Sequence, residues 1–106
     1  MIILSLRADF HGSPLAFVHG PGATEYIQVE DFPIPTTLLE RIQKWDKDFQ
    51  STLAPYPPDS KFSSAEEEEG HYQEGLAIAK DLAHLFSEKF RIQYYVNGRG
   101  KIFVNP

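Results

Sequence analysis

The chain contains no cysteine. Disulfide stapling, on which small secreted domains often depend, is therefore excluded, as is a thiol nucleophile. No apolar run approaches the roughly 20 residues that a membrane-crossing helix needs. The opening segment Met1-Ile2-Ile3-Leu4-Ser5-Leu6-Arg7 is apolar but too short for a signal peptide, and it has no basic leading segment. These absences predict a cytoplasmic protein. Catalytic signatures are missing too. The sequence has no Gly-x-Ser-x-Gly elbow, no His-Glu-x-x-His pair and no P-loop. Residues 91–106 hold three basic side chains and no carboxylate.

What is present fits one ordered domain. The 106 residues are 42% hydrophobic and 13% aromatic, enough for a packed core without staples. The net charge of −5 divides unevenly. Residues 1–60 hold four Lys or Arg against eight Asp or Glu, and residues 61–90 hold three against seven. An acidic body with a small basic end repels nucleic acid and attracts basic proteins, although mild acidity also serves solubility alone.

Periodicity gives the elements. Residues 2–7, 15–18 and 25–30 read as short strands separated by His11-Gly12-Ser13-Pro14 and Gly20-Pro21-Gly22. Pro33-Ile34-Pro35 ends the strand pattern. Thr36 or Thr37 can cap a helix, with Glu40 completing a capping box after Thr37. Leu38, Leu39, Ile42, Trp45, Phe49 and Leu53 then form one apolar stripe of about five helical turns. A proline-rich connector runs from Pro55 to Ala65, with Phe62 expected to anchor it on the core. Ser63 or Ser64 can cap the next helix, whose first turns carry Glu66 to Glu69, where negative charge suits the helix dipole. Its stripe is Tyr72, Leu76, Ala79, Ala83, Phe86 and Phe90, widened by Ile78, Leu82 and Leu85. Arg91 to Val96 and Lys101 to Val104 flank the turn Asn97-Gly98-Arg99-Gly100. The expected fold is a single α+β domain: an antiparallel sheet of about five strands in the order βββααββ, with two helices packed on one face.

Structural roles account for the reactive side chains. His71 has Glu67, Glu68 and Glu74 within one helical turn, a possible weak metal cluster, yet it has no second histidine at ligand spacing and reads as part of a solvated helix start. His11, His19 and His84 read as turn or surface residues, and Ser60, Ser63 and Ser64 as loop and capping residues. No catalytic residue, cofactor or metal is expected. Arg91, Tyr94, Tyr95, Arg99 and Lys101 interleave bases and aromatics on the last hairpin. They support an alternative reading as a small nucleic-acid or small-ligand binding module, which the acidic body disfavours.

Several segments stand out together: Trp45-Asp46-Lys47-Asp48-Phe49, Tyr56-Pro57-Pro58-Asp59-Ser60-Lys61-Phe62, Glu74-Gly75-Leu76-Ala77 and Tyr94. Over about Leu38 to Tyr95 the chain resembles small bacterial proteins with a Trp-helix, a Pro-Asp-Ser-x-Phe loop and a Glu-Gly-Leu helix. It also resembles the immunity proteins of contact-dependent growth inhibition and related polymorphic toxin systems. Lys61 departs from the pattern, standing where the loop is expected to hold a small residue such as glycine. The resemblance implies a non-enzymatic protein that binds a cognate toxin domain, a basic protein such as a nuclease, with no membrane and no direct nucleic acid involved. Under that reading the expected contacts are Asp46, Asp48, Asp59 and Glu66, Glu67, Glu68 and Glu69, with Tyr56 and Lys61 in the connector.

Overall fold

The computed structural model describes residues 2–53 and 62–105. Strands β1 (Ile2–Ala8), β2 (Leu15–Gly20) and β3 (Ala23–Ile27) come first. Helices α1 (Thr36–Gln50) and α2 (Ala65–Phe86) follow, then strands β4 (Phe90–Val96) and β5 (Gly100–Val104). The βββααββ order and the α+β class are as the periodicity predicts. The sheet order is β3-β2-β1-β4-β5.

The centre of the sheet departs from a purely antiparallel arrangement. β1 pairs with β4 in parallel, from Ile2 opposite Phe90 to Ala8 opposite Val96, while the other three pairings are antiparallel. The cause is connectivity. A two-helix excursion between β3 and β4 is long enough to return the chain to the edge of β1 in the same direction, which a hairpin cannot do.

Alternation along the strands sorts the side chains. Leu4, Leu6, Ala8, Leu15, Ile92, Tyr94, Val96 and Val104 face the helices and are buried with Leu38, Ile42, Trp45, Phe49, Ile78, Ala79, Leu82 and Ala83. The α1 stripe is real, but the helix stops at Gln50, so Leu53 lies beyond it. Leu85, expected to widen the α2 stripe, is exposed. The third strand is shorter than expected: it ends at Ile27, and Val29–Asp31 form a 3-10 turn that still buries Val29.

The helix starts differ in kind. Ser64 caps α2, its hydroxyl accepting from the Glu67 amide. Thr36 and Thr37 cap nothing, so the capping box is not formed. Pro35 occupies the N-cap of α1 with φ −59° and no side-chain hydrogen bond. Its ring already fixes the entry angle of the chain.

Candidate functional site

α1 and α2 together line a crevice of about 710 Å³. Arg41, Lys44, Trp45 and Asp48 line it from α1, and Glu67, Gly70, His71 and Glu74 from α2. Ser51, Thr52, Phe62 and Ser63 line it where the chain leaves α1 and enters α2.

Its floor is an aromatic stack. The rings of Trp45 and His71 lie parallel, 4.9 Å apart with a 5° interplanar angle. Each ring also donates to the other residue's backbone. Trp45 Nε1 donates to the His71 carbonyl at 3.0 Å, and His71 Nε2 donates to the Trp45 carbonyl at 2.8 Å. A carbonyl only accepts, so this bond puts a proton on Nε2 and leaves Nδ1 as the acceptor in the neutral ring. Phe62 and Phe49 flank the imidazole at 5.0 and 5.8 Å, which is where the expected anchoring of Phe62 is seen.

Gly75 lets these rings approach the helix. A Cβ at this position would lie 2.2 Å from the Tyr94 hydroxyl and 2.7 Å from Trp45 Nε1. With no side chain there, Tyr94 reaches the backbone of α2 and donates to the Tyr72 carbonyl at 2.9 Å. Trp45, Gly75 and Tyr94, taken from separate segments of the sequence, thus meet around one point, and Phe62 joins them through His71.

The rim is polar and nearly balanced in charge. Arg41 bridges Glu74 at 3.1 Å and Asp81 at 2.7 Å, and Lys44 bridges Asp48 at 2.7 Å. The two carboxylate hydrogen bonds hold the Arg41 guanidinium firmly protonated. Burial pushes the His71 pKa down, and the Trp45 carbonyl and the nearby Asp48, Asp46 and Glu74 oppose it only in part. Asp46 is pushed up by burial, partly offset by the Gln50 amide and by His71. The imidazole is therefore held neutral in a ring-lined niche. The reading of His71 as part of a solvated helix start is overturned, because the α2 face that carries it is the face turned to Trp45.

The expected contact residues separate. Asp48 and Glu67 line the crevice. Asp46 sits beside it on α1, accepting from Gln50 at 3.2 Å. Glu66 and Glu68 are exposed in the first turn of α2. Glu69 points toward the last hairpin, where it accepts from Arg99 at 3.2 Å and from Gln73 at 2.9 Å. Tyr56, Asp59 and Lys61 lie outside the described residues. Sequence reasoning missed Arg41, Lys44, Gly70 and His71 as lining residues.

The lining chemistry suits recognition. Ser51 and Thr52 give their hydroxyl protons to the Asp48 and Phe49 carbonyls, both at 2.7 Å, and Ser63 gives its own to Glu67. The Ser51 and Thr52 hydroxyls are bound to backbone carbonyls, which cannot activate them as nucleophiles, and the Ser63–Glu67 pair is exposed at the start of α2. Among the described residues, no group of three His, Cys, Asp or Glu is placed to hold a metal ion. Among the same residues, no helix is long and apolar enough to cross a membrane.

A family model described as Serratia CdiI immunity protein-like matches residues 3–97. The chain belongs to this family. The match spans all of α1, α2 and β4 and nearly all of β1, so it covers the whole Trp45–His71–Gly75–Tyr94 assembly. No curated protein matches the chain. Membership in the CdiI-like family agrees with the resemblance drawn from the sequence and places the protein among immunity proteins of contact-dependent growth inhibition.

Proposed function

We propose that this CdiI-like protein binds a cognate toxin domain, a nuclease with a basic cleft, inside the bacterial cell and blocks it by occupancy. The observation that carries the reading is the family match over residues 3–97. The geometry supports a site. The crevice between α1 and α2 has a rigid aromatic floor and a rim of charged side chains, which is the anatomy of an anchor pocket with a polar border. Nine of the fifteen carboxylates sit on the two helices, so a basic partner is steered to this side of the molecule. Asp48 and Glu67 are the central contacts and Glu66, Glu68 and Asp46 the surrounding ones. Glu69 contributes field only, because Arg99 already engages it. Tyr56, Asp59 and Lys61 complete the contact set from the connector.

The test pairs the chain with the cognate toxin domain, sought in the neighbouring gene. Co-expression should restore growth, and the purified pair should form a one-to-one complex. Toxicity that persists despite abundant folded protein would reject the assignment. For the nuclease element, the toxin's cleavage of RNA or DNA should fall in proportion to added immunity protein.

A further inference from the structure

The sheet face turned away from the helices has a composition unlike the rest of the molecule. Strand alternation and register place Arg7, Arg91 and Lys101 on it, together with Tyr26, Tyr95 and Phe103. No carboxylate lies on a strand position of this face: the one acid within the five strands, Glu25, falls opposite Phe17 on the helix side. Among the described residues, Arg7, Arg91 and Lys101 enter no ion pair. Two of the cations sit over rings. The Arg91 guanidinium is 3.6 Å from the Phe103 centroid, and that of Arg7 is 4.4 Å from the Tyr95 centroid. Beneath them Ser5 donates to Gln93 at 2.9 Å, both side chains buried. Tyr26 and Phe103, at opposite ends of one row across the five strands, are exposed by 52% and 39%.

We infer that this face is a platform for single-stranded nucleic acid, separate from the helix crevice. The chemistry selects that occupant. A guanidinium lying on a ring presents a flat outer surface on which an unpaired base can stack, and the exposed Tyr26 ring at the far end of the row offers one more. The edge N–H groups of the two guanidinium groups and the Lys101 ammonium meet phosphates. An acidic polypeptide matches the charge but makes no use of the flat stacks. The row spans four interstrand gaps, roughly 19 Å, which suits a few unstacked nucleotides crossing the strands.

The acidic body does not cancel this face. The helical carboxylates lie on the far side of the sheet in a molecule whose shortest extent is 24 Å, and the screening length is about 8 Å at physiological salt. The structure also divides the hairpin residues that suggested nucleic-acid binding in the sequence. Tyr94 turns into the core, and Arg99 stacks over Tyr72 and bridges Glu69 on the helix side. Tyr95, Arg91 and Lys101 remain, and Arg7 from β1 joins them.

The test is fluorescence anisotropy of the full chain with labelled oligo-U RNA and oligo-dT, each about 12 nucleotides long, from low to moderate salt. Three phosphate contacts give a log–log salt slope of about −2. Phe103→Leu, which keeps every cation, should weaken binding at least about fivefold. Lys101→Glu, at an exposed edge position, should weaken it and flatten the slope by roughly one. The RNA and DNA arms report which polymer is preferred, binding of either supporting the platform. Asp48→Lys with Glu67→Lys should leave it intact, since those residues line the other site. No binding at low salt overturns the inference. So does binding that Phe103→Leu leaves unchanged and that polyglutamate displaces as well as RNA does, since the surface would then read charge alone.

Discussion

Replacing Gly75 by Ala tests the packing argument most directly. The added methyl would sit 2.2 Å from the Tyr94 hydroxyl and 2.7 Å from two atoms of the Trp45 indole. Overpacking of this kind costs about 1–3 kcal/mol. Moving either ring also strains a hydrogen bond, Trp45 to the His71 carbonyl or Tyr94 to the Tyr72 carbonyl, each contributing about 1 kcal/mol. Against this stands the helix preference for Ala over Gly, about 0.5–1 kcal/mol. The net expectation is a loss of roughly 2–3 kcal/mol, or about 10–15 °C in Tm for a domain of this size. Gly70 provides the internal control. It lies in the same helix, and an added methyl there would meet nothing within 4 Å, so Gly70→Ala should stabilise by about 0.5–1 kcal/mol. Urea unfolding followed by the fluorescence of the single tryptophan measures both. Adding Tyr94→Phe to Gly75→Ala removes the nearest clashing atom, and the double variant should be more stable than the sum of the two single losses predicts. A Gly75→Ala protein as stable as Gly70→Ala would falsify the close-packing account.

Other expectations follow from the same geometry. His71 has a lowered pKa in the folded state, so the unfolded chain takes up its proton first as pH falls. Its contribution to stability is complete above the unfolded value of about 6.5 and declines below it. Urea midpoints between pH 5 and 7.5 should show this slope, and His71→Gln should remove it. Asp46, whose pKa is raised, acts with the opposite sign, its buried charge lowering stability as pH rises above the unfolded value of about 4, so Asp46→Asn should raise stability at neutral pH provided Gln50 keeps its contact. Ser64→Ala removes the cap of α2 and should cost about 1 kcal/mol by thermal unfolding, whereas Thr37→Ala, which removes no cap, should cost nothing measurable. In stopped-flow association with the toxin, Asp48→Lys with Glu67→Lys should slow binding about tenfold at low salt and much less at high salt; equal slowing at both would reject steering.

Much of the architecture was legible because the chain obeys simple periods. Ile42, Trp45 and Phe49 sit on one helical stripe and are buried together, and the Asn97-Gly98 turn joins two strands where its chemistry requires, Gly98 adopting φ +88°. The parallel β1–β4 pair was not legible, because pairing across 88 residues is decided by the path of two helices and leaves no local mark. His71 was misread for a different reason. Counting only apolar residues hides the fact that Gly75 belongs to the core face. Once Gly75 is included, His71, Gly75, Ile78, Ala79 and Leu82 form one stripe at helical spacing. The charged candidates were legible as a cluster in sequence but not in space. A helix rotates about 100° per residue, so Glu67 faces the crevice while Glu69, two positions on, faces Arg99. The two sides of the sheet were likewise inseparable until register showed Tyr94 and Tyr95 pointing apart.

The parallel contact at the centre of the sheet bears on timing. β1 is the first strand made, and its neighbour β4 begins 88 positions later at Phe90. Nascent β1 and β2 can form a hairpin, but the sheet centre and the helix-facing core stay incomplete until residues 90–96 have emerged. Non-local pairing of this kind also slows folding once the chain is available. A protein built this way has little protective value as a partial product. Its usefulness depends on a standing pool of finished molecules, ready before the toxin arrives.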